Sequence, residues 1–278
     1  MSGVLSSWRE SALGVETTAS FHRLSFTFWG ERVDVLLRDG DDARHITYFF
    51  QDYLVMADDQ ASVTLRLEST SGSFVRSESV LGTVSVRRGV KDGWHSLPLE
   101  GPTPLPPFAA PEFSRRFRTF HGSSASRPGR PGQAVVLHGP STSGKSVLLL
   151  SLLERGWNFV TDDTCVLEGD LLQPYTRPIG IRSQTLTQLP GLSSRVHDGV
   201  QFETATGTTF SVHAKDLGFA LLSEAARWSW TVDLIPSSRF RVERLSPHTL
   251  RLHLDIANHR KQALDAIEQL CHTEEAHR

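Results

Sequence analysis

The residues from Gly139 to Ser146 have the types and spacing of a phosphate-binding loop. They read Gly139-Pro140-Ser141-Thr142-Ser143-Gly144-Lys145-Ser146 and fit the pattern G-x-x-x-x-G-K-[ST]. In such a loop, consecutive main-chain N–H groups surround the phosphates, and the lysine places a positive charge on the β- and γ-phosphates. The hydroxyl of the last residue reaches Mg2+. The pattern therefore predicts a nucleotide site with magnesium, with Lys145 and Ser146 in these two roles.

The segments on either side of this loop are the ones that a phosphate-binding loop needs. The run AVVLH at 134–138 predicts a buried strand, and VLLLSLLER at 147–155 predicts an apolar helix that ends at Gly156. The alternative is an ordinary glycine turn, which would need neither the lysine nor the hydroxyl. Thr142 stands where many such loops have glycine, and a β-branched residue resists the backbone angle expected there.

Two adjacent acids, Asp162 and Asp163, follow Ser146 by 16 and 17 residues. Between them and the loop the sequence predicts only one helix and one strand, WNFVT at 157–161. We expect this strand to be the immediate neighbour of the loop strand, which would bring both carboxylates to the γ-phosphate. One could help to hold magnesium and the other could accept a proton from an attacking hydroxyl. The alternative is a pair of acids in a solvated turn.

A longer block around these motifs resembles a known family. The run HGPSTSGKSVLLLSLLERGWNFVTDD at 138–163, with Phe120-His121-Gly122 upstream, is similar to the catalytic core of the HPr kinase/phosphorylase family and its shorter kinase-like relatives. The resemblance covers about residues 117–182. It implies an α/β P-loop kinase domain of the HPr kinase and phosphoenolpyruvate-carboxykinase-like type.

The resemblance also implies roles for individual residues. His121 would assist catalysis, while Lys145 and Ser146 would bind phosphate and magnesium. Asp163 would accept the proton from a serine hydroxyl, with Asp162 beside it. Our own hypothesis is that Ser146 and Asp162 support the magnesium. The cofactors implied are ATP and Mg2+.

The segment after the acidic pair departs from the family pattern. The family has a magnesium-binding glutamate next to an Arg-Gly, whereas QPYTRPIGIR at 173–182 has Arg177 without an adjacent acid. The second carboxylate ligand is therefore unidentified, and phosphorylase activity is not inferred. Arg177 and Arg182 could stabilise a transferring phosphoryl group, or they could cover an apolar rim.

The rest of the chain predicts a second domain and a connector. Residues 1–96 predict a small, mostly antiparallel β domain, with strand-like runs at 21–29, 32–42, 45–50, 62–69 and 80–88. Six of the fourteen prolines lie in 97–111, which predicts an extended linker. The kinase-like domain would then span 112–278.

Within 112–278, the later segments give weaker patterns. The predicted elements are helices at 183–192 and 214–225, strands at 227–235 and 239–245, and a helical tail at 246–269. The five histidines at 248, 253, 259, 272 and 277 have neither an i,i+4 pair nor cysteine partners, which favours a solvated tail over a metal site.

Composition limits the class of partner. The chain has 278 residues with 29 basic and 31 acidic side chains, a formal net charge of −2, so nothing global favours nucleic acid or an anionic membrane. Two cysteines are too few for a disulfide framework and favour a reducing compartment. The sequence shows no signal peptide or membrane-spanning run, and we expect a soluble, cytoplasmic protein.

These observations together predict an enzyme. The leading hypothesis is an ATP- and Mg2+-dependent kinase that transfers the γ-phosphate to a Ser or Thr hydroxyl of a small protein or peptide. One alternative is a kinase of a small-molecule alcohol, and another is a non-catalytic nucleotide-sensing module. The family resemblance also makes a homo-oligomer possible.

Overall fold

The structure is a computed structural model that describes residues 16–18, 21–57, 61–69, 82–88, 93–99, 107–108, 110–196, 199–204 and 207–272. It is a mixed α/β protein with several sheets, and the chain divides into two compact units, Met1–Arg115 and Arg116–Arg278. In the part of the chain so described, none of the helices combines the length and apolar character needed to span a bilayer.

The first unit is built on a six-stranded sheet in the order β1-β2-β3-β4-β5-β6. All neighbouring pairs are antiparallel except β3 and β4, which are parallel and are joined through α1. Its elements are β1 (Glu16–Thr18), β2 (Phe21–Phe28), β3 (Glu31–Leu37), α1 (Gly40–Phe49), a 3-10 turn (Gln51–Tyr53), β4 (Val63–Ser69), β5 (Gly82–Arg88), β6 (His95–Leu99) and α2 (Pro111–Arg116).

The strand predicted at 45–50 is wrong, because most of these residues lie in α1. Asp39 caps this helix, since its carboxylate accepts hydrogen bonds from the backbone N–H groups of Asp41 and Asp42. Ala43, Ile46 and Phe50 are buried at a spacing that places them on one helical face. A parallel crossover from β3 to β4 also requires an intervening element, and α1 supplies it.

The proposed linker at 97–111 lies partly outside the described residues. Residues 97–99 form the end of β6, and Pro111 begins α2. The domain boundaries at 96 and 112 stay a prediction.

The second unit contains a nine-stranded sheet and a three-stranded sheet. The first has the order β10-β8-β9-β16-β12-β11-β7, with β18 beside β16 and β17 beside β18, and the second has the order β13-β15-β14. The elements are β7 (Arg118–His121), β8 (Ser123–Arg127), β9 (Arg130–His138), α3 (Lys145–Glu154), β10 (Asn158–Thr161), β11 (Thr164–Glu168), β12 (Leu171–Gln173), β13 (Ile179–Arg182), α4 (Ser183–Gln188), a 3-10 turn (Pro190–Arg195), β14 (Val200–Thr204), β15 (Gly207–Val212), β16 (Ala226–Pro236), β17 (Arg241–Ser246), β18 (Thr249–Leu254) and α5 (Ile256–His272).

The prediction that the strand before Asp162 lies directly beside the loop strand is wrong. In the structure β8 lies between β10, which precedes Asp162, and β9, which precedes the loop. The hairpin of β8 and β9 already fills that edge of β9, so the chain leaving α3 crosses over β8 before it pairs. Since β8 is antiparallel to both neighbours, β10 still runs parallel to β9. Its carboxyl end therefore reaches the same edge of the sheet as the loop.

Two long, bent segments run side by side at this edge. The segment of β7 and β8 is antiparallel to that of β10 and β11, with Thr161 opposite Ser124 and Thr164 opposite His121. Consequently residues 121–123 face residues 162–164 where both segments bend. This register is what brings the predicted histidine to the predicted acids.

Three of the weaker predictions are confirmed: the helix at 183–192 by α4 and its 3-10 turn, and the two strands by β16 and β17. The helix predicted at 214–225 is wrong. Gly218 has φ +77° and ends a series of turns, and Leu222 then donates its N–H to the carbonyl of Phe159, beside β10. The helical tail at 246–269 is wrong in its first part, because β18 alternates buried leucines with polar residues.

The core of the second unit surrounds α3. Its leucines from Leu148 to Leu153 are buried on every side of the helix, which is typical of a helix enclosed by protein. Residues of the nine-stranded sheet, of α5 and of the three-stranded sheet belong to the same hydrophobic cluster. The helix that begins at the phosphate-binding loop is thus held rigidly.

Candidate active site

The loop between β9 and α3 needs glycine at both ends. Gly139 has φ +150°, and a Cβ there would lie 2.7 Å from the carbonyl oxygen of Leu234. Gly144 has φ +96°, and a Cβ there would lie 2.8 Å from Cγ1 of Ile256. The two glycines of the sequence pattern are therefore required by close packing as well as by backbone angle.

Thr142 adopts the backbone angle that the sequence analysis identified as difficult. Its φ is +67°, in the left-handed region, which a β-branched residue occupies at a cost of about 1–2 kcal/mol. The loop therefore contains local strain at its tip.

Replacing Thr142 by glycine should relieve this strain. We expect the free energy of unfolding to rise by up to about 1 kcal/mol, because the relief of strain exceeds the extra flexibility that glycine gives the unfolded chain. ATP affinity should be equal or higher, as measured by calorimetry. The control is Thr187→Gly in α4, where a helical threonine should lose stability instead. A large loss of ATP affinity in Thr142→Gly would contradict this account of the loop.

The ammonium of Lys145 lies inside the loop. Its Nζ donates hydrogen bonds of 2.9 Å to the carbonyl oxygens of Gly139 and Pro140, and the residue is only 7% exposed. Burial lowers the pKa of Lys145, while the negative charges of Asp162 and Asp163 raise it, and the positive charge of Arg182 lowers it further. The lysine thus shares one electrostatic environment with both predicted acids.

Asp162 lies beside the first turn of α3. The hydroxyl of Ser146 donates to its Oδ2 at 3.1 Å and to its Oδ1 at 3.3 Å, and the hydroxyl of Ser123 donates to Oδ1. The residue is 5% exposed. Burial raises the pKa of Asp162, and the nearby charge of Asp163 adds to this, whereas the hydrogen bonds from Ser123 and Ser146 lower it. A buried carboxylate that accepts hydrogen bonds from two hydroxyl groups can bind a cation.

Ser123 was missed by the sequence analysis. It follows His121-Gly122 directly. Residues i and i+2 of one regular strand would share a face, but β7 ends at His121 and β8 begins at Ser123, and the serine is buried whereas the histidine is exposed. The serine reaches Asp162 and the histidine reaches Asp163. Ser123 could be identified only from the antiparallel register between the two bent segments. A single sequence does not contain this information.

Asp163 lies in the bend after β10 with an exposed side chain. Its φ is +67°, a conformation that an aspartate tolerates better than most residues. Nδ1 of His121 is 2.9 Å from the carbonyl oxygen of Asp163 and 3.0 Å from its Oδ1. Both are acceptors, so the proton of a neutral imidazole lies on Nδ1. The guanidinium of Arg177 is 3.8 Å from Oδ2, the other carboxylate oxygen of Asp163.

Mg2+ fits the oxygen donors of this site. Asp162 and Ser146 offer a carboxylate and a hydroxyl, and magnesium in nucleotide sites binds through one or two protein oxygens together with phosphates and water. Among the described residues, no group of three or more His, Cys, Asp or Glu side chains could hold a metal by itself. In the segment after the acidic pair, Tyr175 is buried and the guanidinium of Arg177 lies 3.8 Å from Oδ2 of Asp163. A bound magnesium would therefore depend on the nucleotide for most of its ligands.

The structure brings together Lys145, Ser146, Asp162, Asp163 and His121 at one edge of the nine-stranded sheet. The remaining loop residues, Pro140, Ser141 and Ser143, lie between the two glycines. Of the two arginines considered, Arg177 contacts Asp163, whereas Arg182 ends β13 and acts on Lys145 through its charge.

Comparison with known proteins gives little beyond a weak structural resemblance. No family model matches the sequence, and no curated protein matches it. Among solved structures 39 chains match, and one of these is the Hpr(Ser) kinase/phosphatase from Coxiella burnetii, at 17% identity and a TM-score of 0.31. The match covers 57% of this chain and 97% of that one. A likeness at this TM-score carries no weight for activity, so function has to be inferred from the site itself.

Proposed function

We propose that this protein is an ATP- and Mg2+-dependent kinase that transfers the γ-phosphate to a Ser or Thr hydroxyl of a small protein or peptide. The observation that carries the proposal is the juxtaposition of Lys145 with the two acids of one bend, of which Asp162 is buried against Ser146 and Asp163 is exposed beside His121. One acid is placed to support a cation, and the other is placed to meet an acceptor.

The proposed reaction is an in-line displacement. The hydroxyl oxygen of the acceptor forms a bond to the γ-phosphorus, the bond from that phosphorus to the β,γ-bridging oxygen breaks, and ADP leaves. The proton of the hydroxyl moves to the carboxylate of Asp163. Lys145 and the loop N–H groups compensate the negative charge on the phosphates.

The other residues position these groups. Magnesium bound at Asp162 and Ser146 would neutralise phosphate charge. His121 donates from Nδ1 to the backbone and side-chain oxygens of Asp163, and so orients this carboxylate. Arg177 lies near the other carboxylate oxygen and compensates its charge.

The exposure of the proposed base favours a peptide acceptor over a small alcohol. The side chains of Asp163 and His121 are 61% and 52% exposed. A kinase of a small metabolite would enclose its acceptor and exclude water. An extended peptide needs only an open surface from which one hydroxyl can reach Asp163.

The proposal is tested by transfer of radiolabelled γ-phosphate from ATP in the presence of Mg2+. The acceptors are peptides encoded beside this gene, with free serine as the small-alcohol comparison. We expect a mass gain of one phosphate on a Ser or Thr residue of a peptide, and no product with EDTA. Labelling of free serine without labelling of any peptide would contradict the peptide acceptor, and failure to bind ATP would contradict the proposal as a whole.

A nucleotide-sensing module is the second candidate. The strained backbone at Thr142 and the lack of an acid beside Arg177 favour it, because both features weaken a site built for turnover. Such a module would bind ATP without transferring phosphate, and the Asp163→Asn variant would bind its partner as the parent does.

A further inference from the structure

The two faces of the six-stranded sheet in the first unit differ in chemistry. On one face, Phe26 and Phe28 pack against Phe50, which follows α1. Side chains alternate between the two faces along each strand, so the residues between the buried apolar ones point to the opposite face. That face carries arginines, among them Arg66 in β4 and Arg87 in β5. The proposed kinase reaction uses none of these residues.

Three arginines and two aromatic rings form a continuous row across this face. The guanidinium of Arg66 lies over the rings of both Phe21 and Trp94, at 4.7 Å and 6.0 Å from their centroids. Arg38 also lies over Phe21, at 5.2 Å, and Arg87 lies over Trp94, at 5.1 Å. These distances are typical of cation–π contacts. We call Phe21, Arg38, Arg66, Arg87 and Trp94 the arginine ladder.

The arginine ladder carries more positive charge than its acidic neighbour neutralises. Oε1 of Glu68 is 2.9 Å from Nε of Arg38, and Oε2 of the same residue is 2.8 Å from the guanidinium of Arg66. Arg87 contacts the ring of Trp94, but it forms no ion pair or hydrogen bond with any residue in the described ranges. Three guanidinium groups therefore share one carboxylate, and Arg87 is the cation left over.

Arg87 is suited to bind an anion from outside the chain. The residue is only partly buried, and Trp94 beside it is 37% exposed, so their contact lies at the surface. A guanidinium that rests on an aromatic ring has already lost part of its side-chain freedom, so binding costs it less conformational entropy. Its planar N–H groups match the two oxygens of a carboxylate.

The spacing of two of the arginines fits an extended peptide. Arg66 is the register partner of Ser85, and Arg87 is the register partner of Thr64, so the two arginines are diagonal neighbours on one face. Diagonal neighbours in an antiparallel pair are about 7–8 Å apart. Every second side chain of an extended chain points the same way, at intervals of about 6.6 Å. Acidic residues at alternate positions of a peptide can therefore meet both arginines.

A nucleic acid fits this face less well than an acidic peptide does. Both rings of the arginine ladder are already in contact with guanidinium groups, which take the place of a stacked base. Strong nucleic-acid binding requires several phosphate contacts, whereas three guanidinium groups and one carboxylate leave an excess of only two positive charges. The net charge of the whole chain, −2, also repels a long polyanion.

We propose that the arginine ladder binds an acidic segment of a partner polypeptide, with glutamate or aspartate at alternate positions of an extended chain. Arg87 forms the main ion pair, and Arg66 contributes the second. The inference does not rest on the proposed kinase activity, because the ladder belongs to the first unit alone and its binding requires no ATP.

The test is the fluorescence anisotropy of a short labelled peptide with glutamate at every second position, titrated with the full-length protein without ATP. The same peptide with glutamine in place of glutamate is the uncharged comparison. We expect the parent to bind only the glutamate peptide, and to bind it more weakly at higher salt. Arg87→Gln should weaken binding about fivefold, the upper end for a partly exposed ion pair. Arg87→Lys keeps the charge without the planar N–H groups, and its affinity should lie between the two.

Arg44→Gln is the matched control. Arg44 is an exposed arginine of α1 that pairs with Asp41, and α1 lies on the opposite, apolar face of the sheet. The variant makes the same change in net charge as Arg87→Gln and should bind the glutamate peptide as the parent does. Thermal unfolding of each variant shows whether the fold is retained.

Three outcomes would overturn the proposal. The parent could fail to bind the glutamate peptide, Arg87→Gln could bind it as the parent does, or Arg44→Gln could weaken binding as much as Arg87→Gln. A single-stranded oligonucleotide of the same charge is titrated in parallel, and tighter binding of it than of the peptide would make the ladder a nucleic-acid site instead. None of these results bears on phosphate transfer from ATP, so a failure here leaves the proposed function intact.

Discussion

Replacing Asp163 by asparagine should reduce phosphoryl transfer about a thousandfold, the loss typical of a removed general base, while ATP binding stays intact. Asparagine has the same shape and also tolerates the left-handed conformation at φ +67°. Its side-chain oxygen can still accept from Nδ1 of His121. The substitution therefore removes proton acceptance and little else. The measurement is transfer of labelled γ-phosphate in parallel with calorimetric titration of ATP.

Asp170→Asn is the matched control for this experiment. Asp170 is an exposed aspartate of the same unit, with the guanidinium of Arg227 at 3.8 Å. The variant makes the same change in net charge away from the site and should retain full turnover. Full turnover in Asp163→Asn would remove this residue from the role of base. Loss of both turnover and ATP binding would place it in nucleotide binding instead.

The phosphate-binding loop could be predicted because its chemistry is local in sequence. Eight consecutive residues define the backbone path, the lysine and the hydroxyl, and the neighbouring runs define the strand and helix that hold them. The difficulty at Thr142 was also visible, since a β-branched residue stood at a position that takes positive φ. The positive φ of Asp163 was not visible, because it depends on where the two bent segments meet.

Long-range pairing could not be predicted from a single sequence. The spacing between Ser146 and Asp162 is satisfied equally by a strand beside β9 and by one beyond β8. In the structure β8 occupies this edge of β9, so β10 pairs with β8 instead. The contact of Ser123 with Asp162 follows from that arrangement alone.

The period of the hydrophobic pattern and the length of the run explain the other errors in the predicted helices and strands. The run at 45–50 is short enough to be compatible with both helix and strand, and only the cap at Asp39 and the crossover to β4 decide between them. Residues 249–254 alternate strictly, but the helical pattern of α5 begins two residues later. A single window over both segments averages the strand's hydrophobic period of two with the helix's period of 3.6. The strand pattern is then no longer visible.

The second large effect should come from Asp162→Asn, which has opposite consequences for turnover and stability. Turnover should fall at least about a hundredfold, because magnesium loses its carboxylate ligand. The increase in ATP affinity that Mg2+ gives the parent should also disappear. The metal-free protein, however, should be stabilised by about 1 kcal/mol, since a buried negative charge is removed, and this raises Tm by about 3 °C.

The stabilisation should depend on pH in a defined direction. Burial raises the pKa of Asp162, so the folded protein binds a proton at a higher pH than the unfolded chain does. The ionised group therefore opposes folding above its raised pKa, and this penalty fades as the pH falls through it. In EDTA, the Tm advantage of Asp162→Asn over the parent should be largest at about pH 8 and should shrink toward pH 4. An advantage that stays constant over this range would mean that the variant stabilises the fold through packing, and that Asp162 does not carry a buried charge at neutral pH.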